Sequence, residues 1–510
     1  MISQLHIHKI FAERLFQEIK KGNVKSREDL VRIKKRIASD LGISVPPNSE
    51  ILPFVKDEEI KEILIRKPVR TISGVAVIAV MSSPFPCPHG RCLPCPGEPP
   101  QSAQSYTGYE PASLRAKRND YDPYLQIKDR LRQLSSIGHP TDKIDLIVMG
   151  GTFPARDFFY QEWFIKRCYD AMNNENSKSI EEAKKLNERA KHRCIGITLE
   201  TRPDWCRLQH IEKMLEFGVT RVELGVQILD DKILYEINRC HTVKDVIDAT
   251  RLLKNAGFKV CYHIMPGLPY SSLENDIECF KKIFIDERFR PDMLKIYPTL
   301  VVKSSKLYER WTKGEYKPIR EEEAIETISE MKKYVPEWVR IQRIERDIPS
   351  NLIEDGVKKS NLREIVKKRM DEKGFKCRCI RCREVRDKRV DEVELVRRDY
   401  IASGGREIFL SIESKERDAI IAYCRLRIAN NLAIVRELKV HGPMLEIGKR
   451  SNEKWQHKGY GRILMEKAEE IAQKSKKNKI FVLSGVGARE YYRKMGYSDD
   501  GFYMSKNLGE

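Results

Sequence analysis

Six short apolar runs, separated by longer charged segments with helical periodicity, most constrain the fold of this chain. The runs are GVAVIAVM (74–81), IDLIVM (144–149), CIGITLE (194–200), TRVELGV (220–226), FKVCYHIM (258–265) and MLKIYP (293–298). Short runs rich in β-branched residues are typical of strands buried on both faces of a parallel sheet. Because helical segments lie between them, their order predicts a parallel α/β sheet, open or partly closed like a TIM barrel.

The flanking segments have different patterns. A chain of 510 residues is too long for one core. Residues 1–70 have the pattern of short basic helices, and residues 316–395 that of a helical, charged linker. Antiparallel strands, a Gly-rich turn and a long helix follow. We therefore predict four parts, at 1–70, 71–315, 316–395 and 396–510, with a separate α+β domain last.

The chain carries 95 Lys and Arg against 75 Asp and Glu, a formal charge of +20. Such an excess favours a polyanionic partner, although a generally basic surface would also explain it. Basic clusters at 32–36, 115–118 and 367–369 suit a folded RNA. No apolar run is suited to span a bilayer, and the start is polar rather than a signal peptide, so we expect a soluble cytoplasmic protein without membrane attachment. Thirteen cysteines, an odd number, argue against a disulfide framework.

A first cysteine group, Cys87, Cys92 and Cys95, follows directly on the first predicted strand. Its sequence, CPHGRCLPCPG, has the spacing C-x4-C-x2-C. Three thiolates can bind three irons of a [4Fe–4S] cluster and leave the fourth iron open for a ligand. Structural zinc, with His89 as fourth ligand, is the alternative. The place of the group at the carboxyl edge of the sheet favours the cluster.

The loops after the next four predicted strands begin with residues suited to a ligand site at the same edge of the sheet. These are GGTF (150–153), ETRPD (200–204), GVQ (225–227) and PGLP (266–269). Paired glycines let the backbone approach a ligand closely. The candidate contacts are Gly150, Gly151, Glu200 and Gln227.

The last domain contains a second candidate site in WQHKGYGRILMEKAEE. Its Q-x-x-G-x-G pattern, from Gln456 through Gly459 to Gly461, stands at the start of an amphipathic helix, where backbone N–H groups can bind a pyrophosphate. Tyr491 and Tyr492 follow in SGVGAREYYRKMGY. Beside a thioester, a tyrosine could bind the carbonyl or protonate a thiolate, and packing is the alternative role.

A second cysteine group, Cys377, Cys379 and Cys382, lies in CRCIRCRE. The C-x-C-x2-C spacing is tight enough to bind one metal ion, and zinc is the preferred interpretation. A second iron–sulfur cluster or free thiols remain alternatives. No fourth ligand is evident, and His89 is a weak candidate.

The first half resembles the radical SAM superfamily, in which three cysteines and S-adenosylmethionine ligate a [4Fe–4S] cluster. The usual spacing there is C-x3-C-x2-C with an aromatic residue before the last cysteine, and this chain departs from both features. The second half resembles the GNAT acetyltransferase fold. The combination resembles the catalytic subunit of Elongator in its stand-alone archaeal or bacterial form. The matching stretches are RTISGVAVIAVM, SYTGYEPASLRAKRNDYDPYLQ, MGGTF, LETRPD, CRCIRCRE, VRELKVHG and YYRKMGY.

This resemblance implies a partial (β/α)6 barrel joined to a GNAT domain, and an acyltransferase acting on tRNA. Family members form 5-carboxymethyluridine at the wobble position from acetyl-CoA and S-adenosylmethionine. In the proposed chemistry, a 5′-deoxyadenosyl radical takes a hydrogen from the acetyl methyl group, the carbon radical adds to carbon 5 of the uridine, and the thioester is hydrolysed. The implied partners are the tRNA anticodon stem-loop, an electron donor and a second copy of the chain as a homodimer.

The resemblance also assigns site residues. Cys87, Cys92 and Cys95 match the cluster ligands. The matches to acetyl-CoA contacts are Lys143, Glu437, Leu438, Lys439, Val440, Gln456, Gly459, Tyr460, Gly461, Arg462 and Tyr492. Many relatives have histidine in the strand segment where this chain has Lys439.

Two other functions fit parts of the pattern. A protein lysine acetyltransferase would use only the GNAT half, with the cluster domain structural. The basic surface argues against it, because it would repel basic histone tails. A non-enzymatic tRNA-binding scaffold would leave two complete cofactor patterns without a role.

Overall fold

The computed structural model describes residues 4–24, 26–55, 57, 60, 63–64, 73–386, 390, 392–429, 431–442 and 459–509. The chain forms two compact units. Unit one comprises Met1–Ala76 and Lys128–Lys143, and unit two comprises Val77–Ile127 and Ile144–Glu510. Among the helices in these described ranges, none is long and apolar enough to cross a membrane.

Unit one begins with three helices, α1 (Gln4–Lys20), α2 (Arg27–Asp40) and α3 (Asn48–Ile51). Helix α2 starts with a capping box, in which the Ser26 hydroxyl accepts a hydrogen bond from the Asp29 amide at 3.1 Å. The apolar side chains of α1 and α2 pack into one core. The predicted helical N-terminal segment is confirmed.

Unit two contains the predicted parallel sheet, whose strand order is β1–β2–β3–β4–β5–β6–β8. The strands are β1 (Val75–Met81), β2 (Lys143–Met149), β3 (Arg193–Thr201), β4 (Val219–Gln227), β5 (Lys259–Ile264), β6 (Met293–Ile296) and β8 (Arg340–Ile344). Between β6 and β8 lies β7 (Val301–Val302), which pairs with β9 (Ile353–Asp355) in a two-stranded antiparallel sheet. The pairs from β3 onward are parallel. The predicted partial barrel is confirmed, and its seventh strand, β8, falls in the segment expected to be a helical linker.

Helices cover the segments between and after these strands. They are α4 (Pro111–Arg118), α5 (Pro123–Ser136), α6 (Phe158–Asn173), α7 (Ile180–Asn187), α8 (Leu208–Glu216), α9 (Asp231–Glu236), α10 (Val243–Asn255), α11 (Leu273–Ile285), α12 (Lys306–Thr312), α13 (Glu321–Lys333), α14 (Leu362–Glu372) and α15 (Ile380–Arg383). Crossover helices of this kind bury both faces of a parallel sheet, so the site is built at the strand ends.

The last part of unit two is a second seven-stranded sheet with the order β10–β11–β12–β13–β14–β16–β15. The strands are β10 (Glu394–Ala402), β11 (Gly405–Ser414), β12 (Ala419–Ala429), β13 (Leu432–Val440), β14 (Lys479–Val482), β15 (Ser498–Asp500) and β16 (Tyr503–Asn507), with helices α16 (Tyr460–Lys474) and α17 (Arg489–Arg493). Strands β10 to β13 are antiparallel neighbours. The predicted α+β domain is confirmed.

Buried charges join the two sheets. The Arg436 guanidinium on β13 donates to both carboxylate oxygens of Asp292, at 2.8 and 2.6 Å, and to the Phe258 carbonyl at 2.8 Å. It also lies 2.7 Å from Glu407 on β11. Asp292 and Phe258 stand just before β6 and β5. The second sheet therefore contacts the amino ends of the barrel strands, opposite the edge where the cysteine loop lies.

Candidate functional site

The loop after β1 holds Cys87, Cys92 and Cys95 in a closed set of turns. Backbone hydrogen bonds run from Gly90 to Cys87, 3.0 Å, and from Cys95 to Cys92, 3.2 Å. The Gln104 side chain braces the loop, since it accepts from the Cys87 amide and donates to the Gly90 carbonyl. The glycine and prolines thus fold the loop so that all three thiols line one cavity.

A hydrogen bond and a cation stabilise the thiolate form of Cys92. A hydrogen bond from Cys95, together with the Arg239 guanidinium 3.6 Å from the sulfur, lowers the pKa of Cys92 to about 6, although burial opposes the shift. His89 Nε2 lies 3.0 Å from the same sulfur. The hydrogen bond to Cys92 and burial raise the pKa of Cys95, and burial raises that of Cys87, so these two thiols would lose their protons when metal binds. Three sulfur donors around one cavity fit an iron–sulfur cluster, and Arg239 is a residue that the sequence reasoning missed.

The cavity is walled by the carboxyl ends of the barrel strands. Gly151, Glu200 and Gln227 line it. Gly150 lies behind them, where a Cβ atom would stand 2.3 Å from the Ser82 hydroxyl and where φ is +125°. Gln227 has φ +70°, a strained conformation for a non-glycine residue, and its Oε1 is buried without a hydrogen-bond partner. An orphaned acceptor beside a glycine cradle fits a polar ligand such as S-adenosylmethionine.

A network of charged side chains forms another part of the cavity wall. Lys295 on β6 forms an ion pair with Glu223 on β4, and its Nζ lies 3.8 Å from Glu200. His263 on β5 contacts Glu223 at 2.8 Å, and the Tyr106 hydroxyl donates to Glu200 at 2.5 Å. Burial would raise the pKa of Glu223, but Lys295 and His263 outweigh it and hold that pKa well below its usual range.

Sequence reasoning missed Glu223, His263 and Lys295, because each stands inside a strand run that was read only as apolar. A polar residue in a buried strand was the available signal. Glu223, Cys261 and His263 also have the spacing of a metal group, with their ligand atoms within 4.8 Å of one another. The Lys295 ammonium at Glu223 supplies the positive charge there, so this cluster needs no ion.

The second candidate site lies where β13 and β14 separate. Their parallel pairing ends at Val435 and Val482, whereas β13 continues to Val440. In the described part of the chain, the edge of 437–440 on the β14 side therefore has no strand partner, whereas the other edge pairs with β12. The Glu437 carboxylate accepts from Tyr423 at 3.0 Å and from Arg425 at 2.9 Å. Burial opposes its ionisation, yet Arg425 and the lysines Lys259 and Lys439 lower the pKa of Glu437 to about 2.

The start of α16 faces the same region. Gly459 has φ +82° at the N-cap, and Gly461 follows in the first turn, where an added Cβ would meet the Tyr491 hydroxyl at 2.5 Å and Leu438 at 3.8 Å. Gly461 therefore lets a tyrosine hydroxyl approach the helix N-terminus. Tyr492 instead packs in the core of the domain, and burial raises its pKa.

The other predicted acetyl-CoA contacts are placed as follows. Leu438 and Val440 pack against the core of the second sheet, and Lys439 between them has a pKa lowered by burial and by Arg340. Tyr460 is the first residue of α16, and Arg462 is exposed and paired with Glu466 at 3.0 Å. Lys143 is the half-buried first residue of β2. Gln456 lies outside the described residues.

Arg221, near the start of β4, connects the two sites. Its guanidinium lies 3.2 Å from Asp145 and 3.7 Å from Glu223 on the cavity side. Burial opposes its charge, but Asp145, Glu223 and Glu437 raise the pKa of Arg221 above its ordinary value. A line of charged groups therefore passes through the barrel from the edge of β13 to the cysteine cavity.

The second cysteine group is compact. The sulfurs of Cys377, Cys379 and Cys382 lie within 4.8 Å of one another. Cys377 and Cys379 are buried and Cys382 is exposed. In the described part of the chain no histidine or carboxylate joins the three, and His89 lies at the first group instead.

Each of the three predicted basic clusters contains a residue that is buried or held in an ion pair. Lys34 points inward, where its ammonium donates to the Pro46 carbonyl at 2.6 Å and to Asn48 at 2.7 Å. Arg115 is buried and donates to the Ala79 carbonyl. Arg369 is bound to Glu326 and Glu322. These three residues do not form free basic patches.

Family models match four parts of the chain. They are the ELP3 N-terminal domain at residues 9–72, the radical SAM superfamily at 86–282, the radical SAM C-terminal domain at 291–372 and the acetyltransferase (GNAT) family at 378–497.

Similar proteins match along nearly the whole chain. The tRNA uridine(34) acetyltransferase of Methanocaldococcus infernus is 53% identical over 97% of this chain and 98% of its own length. The human Elongator complex protein 3 is 44% identical over 94% of this chain and 93% of its own length. A solved structure of the Methanocaldococcus infernus Elp3 with an N-terminal deletion superposes with a TM-score of 0.76 at 50% identity, and covers 86% of this chain and 100% of that one.

Proposed function

The chain belongs to the family of the archaeal tRNA uridine(34) acetyltransferases and the Elongator complex protein 3, and on that premise we propose that it converts the wobble uridine of tRNA to 5-carboxymethyluridine. It would use S-adenosylmethionine and acetyl-CoA in a radical reaction. The relatives' names supply the substrate class. The carboxymethyl product is what the family resemblance implies, and the pairing of a radical domain with an acyl-CoA domain supports it.

One observation carries the proposal: two sites with different donor sets lie in one unit and share a line of charges. The cysteine cavity offers three thiols, and the edge of β13 beside α16 offers backbone groups. Arg221 lies between Glu223 of the cavity and Glu437 of β13. A lysine acetyltransferase would need the second site alone, so the connection favours a reaction that uses both.

The chain's own residues would bind and orient the cofactors. Cys87, Cys92 and Cys95 would hold the cluster, and Gln227 and Glu200 would contact S-adenosylmethionine. The unpaired edge of 437–440 and the start of α16 would bind the pantetheine and pyrophosphate of acetyl-CoA. When bound, these groups supply a radical and a two-carbon unit. The buried walls of the cavity would keep water from the reacting carbon.

Tyr491 would act at the acyl end of the second site. Its hydroxyl faces the helix start through the space that Gly461 leaves open. Burial raises its pKa, so the neutral phenol persists at physiological pH. A neutral phenol can donate a hydrogen bond to a thioester carbonyl or a proton to a leaving thiolate.

Product analysis tests this function. Anaerobically reconstituted protein is incubated with tRNA, S-adenosylmethionine, acetyl-CoA and an external one-electron reductant, and the digested tRNA is examined by mass spectrometry. We expect carboxymethyluridine from the parent and from the control Cys240→Ala, an exposed cysteine. Cys92→Ala should give none while tRNA binding persists. An intact cluster with bound tRNA and no carboxymethyluridine would refute the proposal, and acetylated lysine peptides without modified tRNA would favour the acetyltransferase instead.

We also propose that Cys377, Cys379 and Cys382 bind a structural zinc ion. Three sulfurs within 4.8 Å match the small span of a zinc site, and a water or a fourth side chain would complete the tetrahedron. Metal analysis should find zinc that Cys379→Ser removes and Cys240→Ser retains. Iron lost in step with Cys379, or no zinc in the parent, would contradict this. Sedimentation of the same samples would test the expected homodimer.

A further inference from the structure

Beside the cysteine loop, a row of planar side chains runs from the loop after β1, through Arg156, to the first turns of α6. We name this row, made of Phe85, Arg156, Phe159, Tyr160 and Trp163, the aromatic ridge. The Arg156 guanidinium lies 4.4 Å from the ring centre of Phe85 and 3.8 Å from that of Tyr160. The Tyr160 and Trp163 rings are 5.6 Å apart. Planar groups therefore follow one another outward from the loop.

Much of this row is open to solvent. Phe159 is 86% exposed, and Phe85 and Trp163 are each 42% exposed. Exposed aromatic groups of this size are costly in water, so a contiguous set indicates a binding surface. The packing inside unit two does not account for the exposed faces of these rings.

The ridge lies next to the cavity mouth. Phe85 stands two residues before Cys87. Arg156 follows Thr152, whose hydroxyl lies 4.0 Å from the Cys87 sulfur. Two hydrogen bonds from Arg156 to Ser83, at 2.9 and 3.1 Å, fix the guanidinium against the start of the same loop. A ligand on the ridge would thus lie beside whatever enters the cavity.

The chemistry of the ridge suits unstacked nucleotides. RNA recognition commonly stacks splayed bases on aromatic rings and on arginine planes. The ridge combines aromatic rings with one arginine, which lies between the Phe85 and Tyr160 rings and positions them. Lys213, 6.0 Å from the Phe158 ring at the start of α6, is paired with Glu216 at 2.6 Å, so the exposed rings rather than this lysine carry the argument. A protein partner would match the apolar area, but the net charge of +20 favours a polyanion.

We propose that the aromatic ridge stacks the bases of single-stranded RNA next to the nucleotide that enters the cysteine cavity. The inference rests on the proposed function for the identity of the RNA. It goes further by assigning Phe85, Phe159 and Trp163 as base-stacking residues, a role separate from cofactor binding. Stacking is tolerant of sequence, so the ridge would position the RNA without selecting among bases.

The test measures binding of the reconstituted holoprotein to fluorescent tRNA as a function of salt. Phe159→Ala and Trp163→Ala should each weaken binding about 5- to 150-fold, the range measured for loss of one stacked base. The slope of the logarithm of the binding constant against the logarithm of the salt concentration should not change, because no phosphate contact is lost. Tyr235→Ala, at an 82% exposed tyrosine on α9, is the matched control and should bind like the parent.

Each outcome decides the matter. Ridge variants that bind tRNA as tightly as Tyr235→Ala does would refute base stacking by the ridge. If the same variants also change the oligomeric state, the surface is a protein interface instead. A chain that binds no tRNA refutes both the ridge and the proposed function. A chain that binds tRNA through the ridge but makes no carboxymethyluridine supports the ridge and refutes only the function.

Discussion

Replacing Asp292 by Asn would test how firmly the two sheets of unit two depend on their buried charges. Asp292 accepts two hydrogen bonds from Arg436, at 2.8 and 2.6 Å, and lies 3.3 Å from the Lys254 ammonium. All three side chains are fully buried. Asn keeps the shape and can still accept from the Val260 amide, which donates at 2.9 Å. The substitution therefore removes one negative charge and places an amide NH2 donor where the second carboxylate oxygen accepts from Arg436 and Lys254.

The expected cost follows from the charges that remain. Without Asp292, Glu407 alone faces the cations of Arg436, Arg427 and Lys254. Removing one partner of a buried pair typically costs about 3–5 kcal/mol. Unfolding roughly 400 residues of unit two carries an entropy near 0.9 kcal/mol per kelvin. The substitution should thus lower the Tm by about 3–6 °C.

The loss of stability in Asp292→Asn should be larger at low pH than at high pH. Burial lowers the pKa of Lys254 to about 8 in the folded parent, and losing Asp292 lowers it further. Below that pKa the parent's lysine is charged and paired with both Asp292 and Glu407, and the variant loses the Asp292 pair, whereas above it the lysine is neutral in both proteins. The deficit in stability should therefore be larger at pH 6 than at pH 9.

Calorimetry of the reconstituted parent and variant would measure both effects. Asp248→Asn is the control, because its partner Lys244 is exposed and surface pairs contribute little. A Tm change for Asp292→Asn no larger than that of the control would refute the reasoning, as would a deficit that grows toward pH 9.

Three further outcomes follow from the same structure. Lys295→Met, which removes the ion pair between Lys295 and Glu223 at the cavity wall, should reduce carboxymethyluridine formation about 100-fold or more with iron content unchanged; full activity would contradict this. Burial raises the pKa of Asp276 to about 6 from 3.8, so the contribution of Asp276 to the unfolding free energy should fall as the pH rises from 4 to 6, and in denaturant titrations Asp276→Asn should gain stability over the parent across this range. Tyr491→Phe should lower kcat about 100-fold with unchanged acetyl-CoA affinity, and a change in affinity alone would contradict it.

The barrel strands were predictable because burial on both faces leaves a strong signal. The runs at 74–81 and 144–149 coincide with β1 and β2 within a residue or two. Strand β8 was missed because only Ile341 and Ile344 in it are apolar, and polar residues interrupt them. Pairing with β6 makes this segment a strand, and that pairing is a long-range contact which a local pattern cannot contain.

The candidate site was predictable only where the chemistry is local. The cysteine spacing indicated three thiols on one loop, and the loop holds them together. Arg239 and Lys295 reach the same cavity from elements more than 140 residues further along the chain. Nothing in the neighbourhood of Arg239 distinguishes it from a surface cation, and Lys295 is marked only as a polar residue inside a buried strand run, so the register of the folded strands was needed to place both at the cavity.

The charges between the sheets also bear on how such a chain could arise and change. The barrel contributes Asp292 and Lys254 to this contact, whereas the second sheet contributes Glu407, Arg427 and Arg436. Lys254 is paired with Asp292 at 3.3 Å inside the barrel and Arg427 with Glu407 at 2.8 Å inside the second sheet, but the second sheet carries one more cation, Arg436, which is paired across the contact with Asp292. Exchanging either half for a homologous domain would therefore require matched changes in the other. We therefore expect recombination between relatives to keep the barrel and the second sheet together.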